Sequence, residues 1–228
     1  KVREMVEYDI PVTTAREELR ALPTRYLLSN PLNTIADHLR LLVRLNEQDL
    51  VMQLQHEPEN GFSNFTICTF DTPGLFSKIT GVMAANGINI LGAQIFTGKN
   101  GKVLDILQVN SAQGFLITEQ TRWDKVEADM ADVLHDTVPV SELVNRRQRP
   151  TILQAKEARR FPTRIEIDNE VSEDYTVIDI YAHDKVGLLY LISSTLSQLG
   201  LYIGVSKIST KVDQVADVFY VRDIFGHK

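Results

Sequence analysis

The 228-residue chain has one cysteine, one tryptophan and 7% aromatic residues, and no apolar run approaches the length that spans a bilayer. A lone Cys68 excludes a disulfide framework within the chain; set in a β-rich run, it is expected as a buried packing residue of a cytoplasmic protein. No secretory leader is visible. Basic residues are in deficit too. The 24 Lys and Arg against 30 Asp and Glu leave a formal charge of -6, which argues against nucleic acid or an anionic membrane as the main partner. What is present suffices for a core: 43% of residues are hydrophobic, and the length allows one or two domains.

The most informative feature is a repeat. Asp71-Thr72-Pro73-Gly74-Leu75-Phe76 followed by Asn86-Gly87-Ile88-Asn89-Ile90 returns 113 positions later as Asp184-Lys185-Val186-Gly187-Leu188-Leu189 followed by Leu199-Gly200-Leu201-Tyr202-Ile203. Eight of the 27 positions from 71 to 97 are identical to their counterparts without a gap, so the chain reads as a duplicated unit. In each copy a β-rich run (Phe65 to Phe70; Tyr175 to Ala182) meets an Asp and then a Gly. A helix is predicted next, with Leu75, Ile79, Val82 and Met83 or Leu188, Ile192, Leu196 and Leu199 on one face. Gly87 and Gly200 mark the helix ends, where a left-handed residue is needed. A second strand ends at Thr97 or Thr210, and a third spans Val103 to Val109 or Val215 to Val221. Between the first pair, Lys99-Asn100-Gly101-Lys102 carries the Asn-Gly preferred by tight hairpins.

Thr118 to His135 is helical by pattern, with Trp123, Val126, Met130, Val133 and Leu134 on one stripe. The first copy therefore shows β-α-β-β-α, most of a ferredoxin-like unit. The fold class predicted is α+β: two ferredoxin-like βαββαβ units behind a short N-terminal helical segment. The expected divisions are a helical lead-in over 1–48, a first unit over 49–140, a basic connector over 141–163 and a second unit over 164–228. No counterpart of the 118–135 helix follows the second copy's third strand, so that unit is expected to be truncated at its C-terminal end.

In the lead-in, Thr14-Ala15-Arg16-Glu17 has the form of a capping box, and Asn30-Pro31 that of an N-cap with proline at the first helical position. Leu32, Ile35, Leu39, Leu42, Val43 and Leu45 form an apolar stripe that needs something to cover. Leu50 to Glu57 alternates apolar and polar residues and is expected to add a fourth strand to the first sheet. In the connector region Arg146, Arg147, Arg149, Lys156, Arg159, Arg160 and Arg164 face one acid, Glu157. A solvated connector is favoured over a strap docked on an acidic face.

The repeated turn has chemistry to offer. It sets an Asp at a strand end, and a Gly beside the unpaired amides of a helix start. Those amides suit an α-carboxylate, and the Asp suits an α-ammonium. One candidate site comprises Asp71, Thr72, Pro73, Gly74 and Leu75 with Asn89 and Ile90; the other comprises Asp184, Gly187 and Leu188 with Tyr202 and Ile203. The second-strand residues would meet the ligand's side chain. The plain alternative is that Asp caps the helix, Pro73 suits its first turn, and Gly74 only permits close helix–sheet packing.

Other chemistries find less support. No carboxylate cluster beside a phosphate-binding Gly-Ser turn is present, so no catalytic residue is assigned. His183-Asp184 has the form of a phosphohydrolase metal dyad, but the first copy has Phe70-Asp71 there and further ligands are wanting, so no metal site is expected. RNA-recognition modules share the topology, yet Val103 to Val109 lacks the stacking aromatics they need. A ligand-free assembly module, pairing through sheet edges within or between chains as a possible homodimer, is the remaining reading.

Asp71-Thr72-Pro73-Gly74-Leu75-Phe76, Asn86-Gly87-Ile88-Asn89-Ile90 and Ala93-Gln94-Ile95-Phe96-Thr97 resemble the ACT domain, a small-ligand sensor appended to metabolic enzymes. The pair resembles, more narrowly, the C-terminal tandem of the bifunctional uridylyltransferase/uridylyl-removing enzymes that modify the PII nitrogen-signalling protein. Val103-Leu104-Asp105, Val215 to Val221, Ile165 to Asn169 and Asp223-Ile224-Phe225-Gly226 carry the likeness further. Arg25-Tyr26-Leu27 with His38-Leu39 resembles the helices that join the hydrolase region to the sensors. The resemblance covers nearly the whole chain. It implies glutamine binding that sets the balance between attaching UMP to PII and removing it, upstream catalytic domains in the same chain, and magnesium in that catalytic region but no cofactor here. The second turn departs from the family, with Val186 in place of Pro and Lys185 in place of Arg, and is less pre-organised without proline's fixed φ.

Overall fold

A computed structural model of the chain describes residues 1–147, 162–183, 186–208, 210–211 and 214–228. Four helices lead: α1 (Val2–Val6), α2 (Val12–Ala21), α3 (Thr24–Ser29) and α4 (Leu32–Arg44). The first unit follows as β1 (Leu50–Glu57), β2 (Phe62–Phe70), α5 (Leu75–Ala85), β3 (Ile88–Thr97), β4 (Lys102–Ser111) and α6 (Gln120–Leu134). After α7 (Val140–Arg147) come β5 (Arg164–Asp168), β6 (Thr176–His183), α8 (Leu188–Gln198), β7 (Tyr202–Lys207), β8 (Thr210–Lys211) and β9 (Gln214–Arg222).

The sheets have the same order, β1-β2-β4-β3 and β5-β6-β9-β7, and all pairings are antiparallel. This is the ferredoxin-like arrangement expected. In both units the strand beside β2 or β6 enters from before the repeat, as Leu50–Glu57 and Arg164–Asp168. The repeat extends to irregularities: the register slips between Ile90 and Gly92 in β3 and between Ile203 and Val205 in β7, leaving a bulge at matched positions.

Each unit's core lies between one sheet face and its helices. Trp123, Val126, Met130 and Val133 of α6 are buried against Phe65, Ile67 and α5, as their helical spacing requires. On the second unit the corresponding face has no such cover among the described residues. Ile165 and Ile167 are 59% and 66% exposed, and Leu191 and Leu199 are 54% and 69% exposed, around an open apolar groove of about 800 Å³.

The lead-in covers the opposite face of the first sheet. Leu22, Tyr26, Ile35, Leu41, Leu42 and Leu45 pack on Val51, Cys68, Phe96 and Leu104, which gives the apolar stripe its partner and Cys68 its packing role. Local capping differs from expectation. The α2 helix starts at Val12 with Pro11, not Thr14, at its N-cap, because proline fixes the entry φ. Pro31 itself is the N-cap of α4; Asn30 terminates α3, and its Nδ2 donates back to the Tyr26 carbonyl at 2.9 Å. The second strand of the second unit breaks at Lys207, short of Thr210, and pairing resumes in β8.

The first part of the expected connector is helical. Leu143 and Val144 of α7 are buried, and Val140 lies over Gly81 of α5, where a Cβ would come within 2.3 Å of it. Arg146 pairs with Glu142 and Arg164 with Glu166, all of them exposed. Arg149, Lys156, Arg159 and Arg160 lie outside the described residues.

The lead-in also holds a titratable pair. Tyr26 Oη and His38 Nδ1 are 2.8 Å apart in a buried setting, and burial lowers the His38 pKa to about 4, against a smaller opposing pull from Asp37. The unfolded chain takes up this proton near pH 6.5 while the folded chain refuses it until about 4. Stability is therefore lost as pH falls through that interval, by on the order of 3 kcal/mol from this group. Urea unfolding at pH 7 and pH 4.5 should show the loss, and His38→Gln should flatten the difference.

Candidate functional site

The two units face each other across a pseudo-twofold axis. Thr80 Oγ1 and Ser193 Oγ are hydrogen-bonded at 2.9 Å, and these residues are 113 positions apart, the repeat interval itself. A residue meets its own counterpart only on such an axis, as in an isologous interface. The α5 and α8 helices pack against each other there, and β3 runs beside β7. Gly81 allows this approach, since a Cβ on it would also come within 2.9 Å of the Tyr190 ring.

A twofold axis crosses the candidate sites over. Asp71, Thr72, Pro73, Gly74 and Leu75 line a cleft of about 410 Å³ whose other wall is Tyr202, Ile203 and Gly204 of β7. Asn89 and Ile90 lie across the axis, beside Gly187 and Leu188, around a second and nearly closed space of about 20 Å³. The turn of each copy thus meets the second strand of the other copy, whereas sequence spacing associated each turn with its own strand. Asp184 lies outside the described residues.

The turn is built by its glycine. Gly74 is the N-cap of α5 at φ 73°, a left-handed conformation that favours glycine, and a Cβ there would lie 3.0 Å from Ser197 Oγ of α8. Helix α5 has no side-chain cap, so Asp71 does not fulfil the plain capping role. Pro73 stands one residue before the N-cap, outside the first helical turn. The Asp71 amide donates to Gly101 at 2.9 Å and the Leu75 amide to Thr72 at 3.0 Å; the next backbone bond in the helix start is from Lys78 to Gly74. The amides between these, at Gly74, Phe76 and Ser77, have no backbone acceptor among the described residues and border the cleft.

Charge is distributed unevenly over the cleft. Asp71 lies exposed at the rim, where partial burial raises its pKa and the Thr72 amide opposes the rise. Asp105, 1% exposed, forms part of the floor, and neither of its oxygens has a hydrogen-bond partner. Burial pushes its carboxyl well above the usual carboxylate range. The Asp71 charge adds to the rise, and the Phe96 amide opposes it without reaching hydrogen-bond geometry. Across the cleft, the Arg222 guanidinium stacks 4.1 Å over the Tyr175 ring and pairs with Asp174 at 3.1 Å.

Asp105, Ser197, Tyr175 and Arg222 were not singled out by sequence reasoning for this site. Asp105 carried a visible signal: it occupies the inward phase of Val103-Leu104-Asp105-Ile106-Leu107, where period-two alternation demands an apolar residue. Asp217 repeats it in the second unit, also buried. The other three are placed by tertiary packing alone. Among the described residues, no group of three or more His, Cys, Asp or Glu is arranged to hold a metal ion. No helix among them is long and apolar enough to cross a membrane.

Residues 65–119 match the ACT domain. The chain is 36% identical over 84% of its length to the bifunctional uridylyltransferase/uridylyl-removing enzyme of Rhodospirillum rubrum. It is 35% identical over 80% to that of Azospirillum brasilense, and 31% identical over 100% to that of Cereibacter sphaeroides. These alignments span 20%, 20% and 24% of the relatives, so the chain corresponds to between a fifth and a quarter of their length. The chain is a pair of ferredoxin-like units preceded by helices; its first unit matches the ACT domain, and the chain as a whole is similar to the C-terminal region of bifunctional uridylyltransferase/uridylyl-removing enzymes.

Proposed function

We propose that this chain is the regulatory part of an enzyme that attaches UMP to PII protein and removes it, and that the open cleft between its units senses a free amino acid, glutamine first among candidates. The observation that carries the reading is the cleft itself: about 410 Å³, with a carboxylate at the rim and a helix start with free amides beside it. Asp71 would hold the α-ammonium and the amides after Gly74 the α-carboxylate. A ligand there touches both units at once, so it favours the arrangement in which they are closed on each other. The Lys99 amide of the β3–β4 turn donates to Ala21 of α2 at 2.9 Å, and Arg25 of α3 donates to Ile95 at 2.6 Å and to Gly204 at 3.2 Å. Ile95 and Gly204 both line the cleft, which gives occupancy a route to the lead-in helices and to the catalytic domains expected upstream.

A ligand-free assembly module would have no use for the opening. The readings separate in a thermal shift. Millimolar glutamine should raise Tm if the cleft binds it, by linkage, and leave Tm unchanged in a pure scaffold. Asp71→Ala should weaken binding by about 1.5 to 3 kcal/mol if it makes a charge-assisted contact. Calorimetry showing equal affinity for this variant and the parent would remove Asp71 from the site. The near closure of the second space leads to one further expectation, a single bound molecule per chain.

A further inference from the structure

Asp105 sets a carboxyl group in a place built for a hydrocarbon. Its neighbours on the same face of β4 are Val103 and Leu107, both buried in the core of the first unit, and its register partners are Ile67 on β2 and Ile95 on β3. Burying a carboxyl without a hydrogen bond is costly, and nothing in the fold uses this one. It does face the cleft, beneath Asp71 and the Gly74 turn. Buried polar groups without partners are rare and call for an explanation, and an acceptor lining a ligand-sized space finds one in a ligand.

We infer that Asp105 is the specificity-determining residue of the cleft, accepting a hydrogen bond from N–H groups at the distal end of the bound amino acid and so selecting a side-chain amide over a carboxylate. The inference rests on the reading of the cleft as an amino-acid site. With the α-groups held at the rim, the side chain enters first and its end reaches the floor. A primary amide brings two donors to Asp105; a carboxylate brings none. A site built to hydrogen-bond one group rejects the analogue lacking it much more strongly than an apolar pocket rejects a change of size.

The test is calorimetry of the 228-residue chain with glutamine and with glutamate, for the parent, Asp105→Asn, Asp105→Leu and Asp71→Ala. The parent should favour glutamine, and Asp105→Asn, which donates as well as accepts, should reduce that preference by roughly 10- to 100-fold. Asp105→Leu extends the apolar row of Val103 and Leu107, so it keeps a folded comparison in hand; it too should lose the preference. Asp71→Ala should weaken both ligands and leave their ratio alone. If the parent prefers glutamine and the ratio survives in both Asp105 variants, the inference is overturned while the cleft reading stands. If the parent binds neither amino acid, both fall.

Discussion

Glu18→Ala is expected to lower the stability of the chain by about 3 to 5 kcal/mol, the cost of leaving a buried partner charge uncompensated. Glu18 and Lys102 are both almost fully buried, with Nζ 2.6 Å from Oε1. The same ammonium donates to the Leu42 carbonyl at 2.9 Å and to Asn46 Oδ1 at 2.7 Å, and Asn100 donates to the other Glu18 oxygen at 3.1 Å. Helices α2 and α4 and the β3–β4 turn therefore converge on one ion pair. Removing the carboxylate strands the lysine, whose two remaining acceptors are neutral. Urea denaturation would measure the loss. Replacing both partners, as Glu18→Leu with Lys102→Met, should recover much of it, because an apolar pair avoids the desolvation cost. A loss below 1 kcal/mol in the single variant would show that the lead-in is not anchored here.

Trp123→Ala should be comparably severe, about 3 to 5 kcal/mol for deleting a fully buried aromatic. Trp123 is 1% exposed, stacks on Phe65 at 5.6 Å between ring centroids, and donates from Nε1 to the Ile117 carbonyl at 3.1 Å. It fastens α6 to the first sheet, and the second sheet has no equivalent helix over it among the described residues. The second unit should then unfold first. Trp123 is the only tryptophan in the chain, so its fluorescence reports the first unit alone. As urea rises, far-UV circular dichroism should fall in two steps, the fluorescence changing only in the later one. Coincident transitions would mean that the seam between the units, not α6, sets their stability.

Much of this architecture was legible in the sequence because it is local. The glycines of the repeat mark left-handed positions, φ 66° at Gly87 and 75° at Gly200, and the alternation of Leu50 to Glu57 marks an edge strand. The stripe from Trp123 to Val133 marks a helix with one apolar face. Capping was less legible, since Pro11 and Pro31 displaced the polar side chains that matched the motifs. The pairing of site residues could not be read at all. Whether the Gly74 turn meets Asn89 or Tyr202 depends on how two copies pack, and that depends on small residues at one crossing, Gly81 and the Thr80–Ser193 pair. Asp105 was legible as a break in an apolar strand and gained meaning only once a cleft lay above it.

The most direct test is a crystal structure of the chain with glutamine. The account predicts one molecule bridging the Gly74 turn of the first unit and the Tyr202–Gly204 segment of the second, its α-ammonium on Asp71 and its side-chain amide on Asp105. Glutamine held within one unit alone, or a cleft that stays empty at saturating ligand, would contradict it.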